Sequence, residues 1–585
     1  MRLPSSSLLL APMLVSACLS ASLSGCVVGR VVSEGPDAPA PPTPPARDAE
    51  APRIVIESPE VGAFIEGESL TVSGRVEDGS SVTVTVDGEL VPVAADGAFT
   101  VTRAVAPGAQ RVRIVATDEA GNQSVRSAAA VVGTFAETGA PIVNAAALTV
   151  GRGALDEAGR AGGLILTRTD FDREVTAGNP VASGFWGRAD IDGESHGTAT
   201  VTLTPRDGEL DAEVAIADLA VDATLDPRLG GDVDARLESR RAVFTATASL
   251  SVVAGRPSVQ LRDVAVRLTG FSFDVSYVPS VLEDLGAVRD AVRGRVEAAV
   301  EDAARDALTP LLRDLVSQMP IRSRFDVLGV DVALEATDFE VIVSPDGLWA
   351  AADLALTPED ALAERAARGV LVGLADEQPP LHESDLAVDV SVDTLNAAAF
   401  AAWQSGLFEA QQTEIARQTA GLTVSQVALL FPVAARAHPS DAPVELELSY
   451  PLPPVVSFGP GGATVELVDV RATAFAISGG ERAPLGAISI ALSAPVEATL
   501  SDAGISLRPG ELSARADVVG PTGGPEGERL DRLVGALLAP LGDSLVALGP
   551  VPVPSLAGFA LTPTAITEDG GYLGVEGRAR YAPPR

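Results

Sequence analysis

The stretch Val288-Arg289-Asp290-Ala291-Val292-Arg293-Gly294-Arg295-Val296-Glu297-Ala298-Ala299-Val300 repeats an apolar residue every four positions. The same stripe takes in Leu285 upstream and Ala303, Ala307, Leu311 and Leu315 downstream. Steps of three and four place all of them on one helical face. The opposite face carries Arg289, Asp290, Arg293, Glu297, Glu301, Asp302, Arg305 and Asp306. Ser280-Val281-Leu282-Glu283 follows Pro279 and reads as a capping box, and Pro310 predicts a kink near the far end. At 1.5 Å per residue the helix is about 45 Å long. A helix of that length implies an elongated domain.

Strand patterns flank it. Leu210, Ala212, Val214 and Ile216 alternate with other residues, and Val259, Leu261, Val264, Val266 and Leu268 follow Gly255-Arg256-Pro257. Strands resume at Val327, and Ser344-Pro345-Asp346-Gly347 is a turn before Leu348-Trp349. Residues 140–360 therefore read as one unit of strands, long helix and strands. After a linker at 361–380, residues 381–585 read as a second unit of similar type. There Leu386-Ala387-Val388-Asp389-Val390 leads into a helix with Leu395, Ala399, Phe400, Trp403 and Leu407 inward. A further helix carries Leu530, Leu533, Val534, Leu537, Leu538, Leu541 and Leu545, with Pro540 inside. The proline-rich run 550–554 leads to a last strand around Tyr572-Leu573-Gly574-Val575.

Upstream, residues 53–133 hold short alternating strands: Ile54 and Ile56, Leu70 and Val72, Val82, Val84 and Val86, Val112 and Ile114. Turns come at Ser58-Pro59, Asp87-Gly88, Asp96-Gly97 and Pro107-Gly108. Such punctuation predicts an all-β sandwich. Ile56-Glu57-Ser58-Pro59, Val72-Ser73-Gly74, Ala95-Asp96-Gly97-Ala98-Phe99 and Ala116-Thr117-Asp118-Glu119-Ala120-Gly121-Asn122 resemble bacterial immunoglobulin-like modules of exported proteins. The resemblance implies a spacer rather than a ligand-binding module, and no aromatic platform is seen there.

The first residues read as an export signal, 1–25. Arg2 precedes Leu8-Leu9-Leu10-Ala11-Pro12-Met13-Leu14-Val15, which is too short to span a bilayer. Leu23-Ser24-Gly25-Cys26 looks like a bacterial lipobox, with Val15-Ser16-Ala17-Cys18 a weaker match. These are the two cysteines of the chain, so Cys26 is the expected lipidation site and Cys18 the alternative; an ordinary cleaved signal with incidental cysteines is the plainer reading. Neither a disulfide framework nor a Cys-based metal site remains. Residues 26–52 then form a Pro-rich, semi-extended linker. Val27 after Cys26 points, by analogy with enteric sorting, to the outer membrane, on its periplasmic or surface face.

The region from about 140 to 585 resembles the tubular lipid-binding superfamily, which includes bactericidal/permeability-increasing protein, lipopolysaccharide-binding protein and cholesteryl ester transfer protein. The resemblance rests on the strand, long helix, strand order around 280–349. It rests also on Ser391-Val392-Asp393-Thr394-Leu395-Asn396 with Trp403-Gln404-Ser405-Gly406-Leu407-Phe408, and on Val553-Pro554-Ser555-Leu556-Ala557-Gly558-Phe559. It implies an α+β fold with two tandem, highly curved antiparallel sheets, each wrapped around a long helix as a boomerang. It also implies a ligand: phospholipid or neutral lipid in apolar grooves lined by Val288, Val292, Val296, Val300, Leu311, Leu315, Leu395, Phe400 and Trp403. The plain alternative is that these residues simply pack against the sheet. Two departures stand out. The disulfide common in the family's first unit has no Cys to make it, and the cationic tip of the lipopolysaccharide binders is missing.

Net charge is -37, and arginine supplies all the basic charge. Such a field repels nucleic acid, so no nucleic-acid partner is expected. Gly193-Glu194-Ser195-His196-Gly197 matches the letters of a nucleophile elbow, but Thr198-Ala199-Thr200-Val201-Thr202-Leu203 continues as a strand, so a hairpin turn is expected. With His196, His382 and His438 the only histidines, an imidazole triad or His-rich metal site is not expected. Asp190 and Asp192 read as a solvated acidic loop. The chain is thus expected to be a non-enzymatic lipoprotein without cofactor or metal that binds, and in one form transfers, amphipathic lipids. The alternative is a non-catalytic surface or adhesion scaffold.

Overall fold

The computed structural model describes residues 48, 50–228, 231–253, 256–276, 285–316, 322–327, 330–358, 361–362, 368–406, 408, 420–459, 462–501, 504–521 and 559–581. Cys18, Cys26, the Pro-rich linker, the capping box at 280–283, Leu407, the helix expected at 530–545 and the exit at 550–554 lie outside them. The fold below is that of the unit Ala49–Arg585.

The protein is mostly β. Among the described residues the strands fall into four sheets. The smallest sheet joins Arg53–Ser58, Ser69–Glu77 and Ala98–Ala104. It packs on Val82–Val86, Gly108–Asp118 and Gln123–Ala136 around a core that includes Ile54, Leu70, Val72, Val84, Val86, Phe99 and Ile114. The alternation expected at 53–133 therefore does form two facing layers.

A large antiparallel sheet centres on two long strands, Glu209–Pro227 and Val233–Val253, with Arg256–Thr269 at its edge. The core on this sheet is filled by two helices, α1 (Arg152–Arg168) and α3 (Leu285–Val316), with the short α2 (Asp172–Thr176) between them in sequence. Helix α3 has 32 residues, about 48 Å of axis. Pro310 lies inside it.

A third sheet has the order Arg322–Val327, Val330–Ser344, Gly347–Pro358, Ile142–Gly151, Leu386–Ser391, Tyr572–Tyr581, Phe559–Asp569. Its middle strands are shared between two cores. Leu148, Val150, Leu348 and Leu386 join the core around α1 and α3, whereas Ile142, Ala145, Ala352 and Leu354 join the next one. Burial on both faces explains the Ala-rich text of Gly347–Pro358, where small side chains let the layers approach. Ile142–Gly151 runs straight into α1, and Leu386–Ser391 runs straight into α4 (Val392–Gln404).

The fourth sheet continues from Val444–Ser449 through Gly462–Ser478, Glu481–Ser501 and Ser513–Pro521 into Gln123–Ala136 and Gly108–Asp118 of the N-terminal sandwich. Sandwich and second unit thus share a sheet. Within the expected linker 361–380, Val370–Val372 is a strand paired with Phe135 and its neighbours, with Val370 and Leu371 buried.

Bulges bend these long strands. At Asn144, Asp263 and Asp469 the pairing register shifts and the residue has positive φ, of 50°, 49° and 57°. Asn and Asp tolerate that conformation best among residues with a side chain, so the bulges fall where the sequence supplies them.

Candidate functional site

The apolar stripe of α3 faces inward. Val288, Val292, Val296 and Val300 are fully buried among side chains from the large sheet and α1, and Leu311 is nearly so. Leu315 lies in α3, its side chain outside what the structure describes. Helix α1 comes very close to the sheet. A methyl at Gly159 would sit 2.5 Å from the Val201 carbonyl oxygen, and one at Gly162 would sit 3.2 Å from Leu311 Cδ2. Glycine at these positions allows backbone-to-strand contact.

Opposite α3, the picture changes. The inward row of the edge strand, Val259, Leu261, Val264 and Val266, is only half-buried although it packs on the same core. Phe271 and Phe273, just beyond it, are also half-buried. Arg293 of α3 lies over the Phe271 ring at 5.4 Å and pairs with Glu297 at 2.8 Å. Among the described residues, apolar surface of this core is thus left partly uncovered on the strand facing α3, while Val288, Val292, Val296 and Val300 of the helix stripe are covered. The strand's alternation was visible in the sequence; its position at a sheet edge was not.

In the second core, Phe400 and Trp403 are buried and Leu395 is half-buried. The polar residues around them are pins. Ser391 caps α4 by accepting from the Thr394 N–H at 3.2 Å. Asn396 brackets one strand residue: Val456 N–H donates to Asn396 Oδ1 at 2.7 Å, and Asn396 Nδ2 donates to the Val456 carbonyl at 3.1 Å. Trp403 Nε1 donates to the Tyr450 carbonyl at 2.9 Å. So the Ser-Asn-Trp pattern holds α4 in place, with no polar atom of it left to meet a ligand head group.

The nucleophile-elbow letters lie at the junction of two strands, Gly187–Ser195 and Ala199–Arg206, and not at a strand-to-helix turn. Ser195 pairs with Ala220 and Ala199 with Ile216, so the two strands add end to end along Glu209–Pro227 rather than forming the hairpin expected from sequence. His196 Nδ1 lies 3.2 Å from Glu194 Oε1, its Nε2 lies 3.2 Å from the Leu166 carbonyl, and its ring stacks on Phe171. Both ring nitrogens are thus engaged away from Ser195. Asp192 accepts from Thr224 Oγ1 at 2.7 Å, and Asp190 pairs with Arg188 at 3.1 Å. Among the described residues no helix is long and apolar enough to cross a membrane.

A protein-family model described as glucodextranase, domain B, matches residues 52–135. Bacillopeptidase F of Bacillus subtilis (strain 168) is 33% identical over 79 residues, which is 14% of this chain and 5% of that protein. The chain thus spans a small fraction of the length of the curated relative it matches. Among solved structures, lipopolysaccharide binding protein aligns over 75% of this chain and 100% of its own, with TM-score 0.44 and 12% identity. P47 of Clostridium botulinum E1 aligns over 75% of this chain and 100% of its own, with TM-score 0.26 and 7% identity.

Proposed function

We propose that this chain is a lipid-binding protein without catalytic activity, held on the outer membrane by an acylated Cys26. The observation that carries the reading is the half-buried apolar row Val259, Leu261, Val264 and Val266 facing α3. An acyl chain lying along that seam would cover it, at about 0.8 kcal/mol for each CH₂ removed from water. The ligand class that fits is a phospholipid or neutral lipid, since the chain is strongly acidic and repels anionic head groups. The seam belongs to a sheet packed on the long helix α3, as the sequence resemblance implies for the first unit. In the second core the described helix, α4, has 13 residues, and a second long helix there remains part of the proposal. In this reading the N-terminal sandwich is a spacer, and transfer between membranes is a passive exchange of bound lipid.

A second reading is supported by a specific observation. Val292 and Val296 are fully covered by protein, as in a packed scaffold that binds no lipid. Uptake of a fluorescent phospholipid by a chain lacking residues 1–47 separates the two. Saturable uptake that falls in Val264→Asn supports the lipid-binding reading, and no uptake supports the scaffold. Metabolic labelling with an alkyne fatty acid tests the anchor: label lost in Cys26→Ser supports it, and label retained there argues against Cys26.

A further inference from the structure

The segment 373–385 runs along the middle strands of the third sheet, Ile142–Gly151, Leu386–Ser391 and Tyr572–Tyr581, and is fastened along its length. The N–H groups of Gly373 and Leu374 donate to the Asp393 carboxylate at 2.8 and 3.0 Å. Asp376 N–H donates to the Gly570 carbonyl at 2.8 Å, and Asn144 Nδ2 donates to the Glu377 carbonyl at 2.7 Å. Tyr572 Oη donates toward the carbonyls of Asp376 and Asn144, each at 3.2 Å. At the far end the Gly151 N–H, where the strand enters α1, donates to the Asp385 carbonyl at 2.8 Å. This strap therefore touches both strands that feed helices into the two cores.

One fastening differs in kind. His382 of the strap lies between two carboxylates, with Nε2 2.8 Å from Asp389 Oδ1 and Nδ1 3.0 Å from Glu576 Oε1. A neutral imidazole has one N–H, so it cannot donate to both. If both acids are ionised, the second contact sets a nitrogen lone pair against a carboxylate oxygen. The geometry is satisfied only with one added proton, on the ring or on a carboxyl, and that proton belongs to the group as a whole. Asp389 is completely buried and its Oδ2 has no hydrogen-bond partner among the described residues. The space is reserved for it: Asp389 pairs with Gly574, where a methyl would fall 2.5 Å from Asp389 Oδ1 and 3.4 Å from the His382 ring. The other charges facing the group are also acidic. Glu576 and Asp569 approach Asp389 from the neighbouring strands, and Asp376 and Asp393 lie around Tyr572.

We propose that the strap 373–385 is a pH-set closure, fastened by one proton shared among His382, Asp389 and Glu576 and loosened when that proton leaves. The direction follows from the acids. Burial raises Asp389 from 3.8 to about 6. A carboxyl that is raised in the closed state binds its proton more tightly there than in the open state. Closure is therefore favoured in acid and weakens as pH rises through about 6. Where opening the strap returns Asp389 to its ordinary value, the shift from 3.8 to about 6 makes the strap roughly ten-fold better protected at pH 5 than at pH 8.

Hydrogen–deuterium exchange of the full-length chain at pH 5 and pH 8, corrected for intrinsic exchange rates, reads this directly on strap peptides. The expected result is about ten-fold lower protection of residues 373–385 at pH 8, with the strands of the large sheet unchanged. In Asp389→Asn and in Glu576→Gln an amide can donate to the free imidazole nitrogen, so no added proton is needed. The pH step then disappears in Asp389→Asn and shrinks in Glu576→Gln, which keeps the buried Asp389 carboxyl, while the strap stays closed in both. Equal protection of the wild-type strap at both pH values overturns the proposal, as does a step of full size that survives in both variants.

Discussion

Arg113 donates from Nε to Asp517 Oδ1 at 2.9 Å, joining two residues 404 positions apart. Arg111 and Ser127 bind the other oxygen of the same carboxylate. Beside them, Gly520 pairs with Val125 and Pro521 with Ser124. The N-terminal sandwich is thereby fixed to the sheet of the second unit by two strand pairings and one nearly buried acid. Replacing Asp517 by alanine leaves Arg111 without its carboxylate partner in a partly buried setting. The expected loss is about 2 kcal/mol, the scale of hydrogen bonds to charged groups, measured by urea unfolding. Ser127→Ala should cost less than half of that.

Helix α1 gives a test whose sign is informative. Alanine at an exposed helical glycine stabilises by about 0.5–1 kcal/mol. At Gly159 the added methyl meets the Val201 carbonyl oxygen at 2.5 Å, so Gly159→Ala is expected to destabilise by about 1–3 kcal/mol. Alanine at Gly294 of α3, where nothing lies within 4 Å, should stabilise instead. Thermal unfolding of the two variants compares them directly.

Asn396 makes two buried hydrogen bonds to the backbone of Val456. Asn396→Ala strands both backbone groups and should cost about 2–4 kcal/mol. Asn396→Asp keeps the acceptor and loses the donor, so it should be destabilising as well, with recovery at acid pH where the carboxyl is protonated. A urea titration at pH 4.5 and pH 7.5 checks the difference.

The two apolar rows of the first core should behave differently. Val292 is fully buried, so Val292→Asn should lower stability by several kcal/mol through an unpaired buried amide. Val264 is half-buried, so Val264→Asn should change stability by less than about 1 kcal/mol and instead reduce bound lipid several-fold. Calorimetry and quantified lipid extraction on the same preparations test both halves.

What the sequence made legible follows from the strength of each local signal. The α3 stripe repeats over eight turns, and no strand pattern competes with it, so its inward face was readable from Val288 to Leu311. The two-layer N-terminal module was readable because its strands alternate cleanly between turn residues. Helix α1 was hidden, since Gly159, Gly162 and Gly163 break the apolar pattern and carry a helix penalty of about 1 kcal/mol each. Those same glycines are what let the helix touch the sheet, a packing role that no periodicity announces. The His382 cluster was equally silent: Asp389 reads as one polar residue in a strand, and Glu576 joins it only through the pairing of Leu386–Ser391 with Tyr572–Tyr581. The pairing of Ser195 with Ala220 likewise depends on register along a strand of 19 residues, which local letters do not encode.

The most direct test of the central claim is native mass spectrometry with lipid extraction on a chain that starts at Asp48, so that no acyl anchor contributes. Stoichiometric phospholipid or neutral lipid is expected on the folded protein, lost in step with uptake when Val264 is made polar. A lipid-free protein that also takes up no added lipid would contradict it and leave the packed scaffold as the reading.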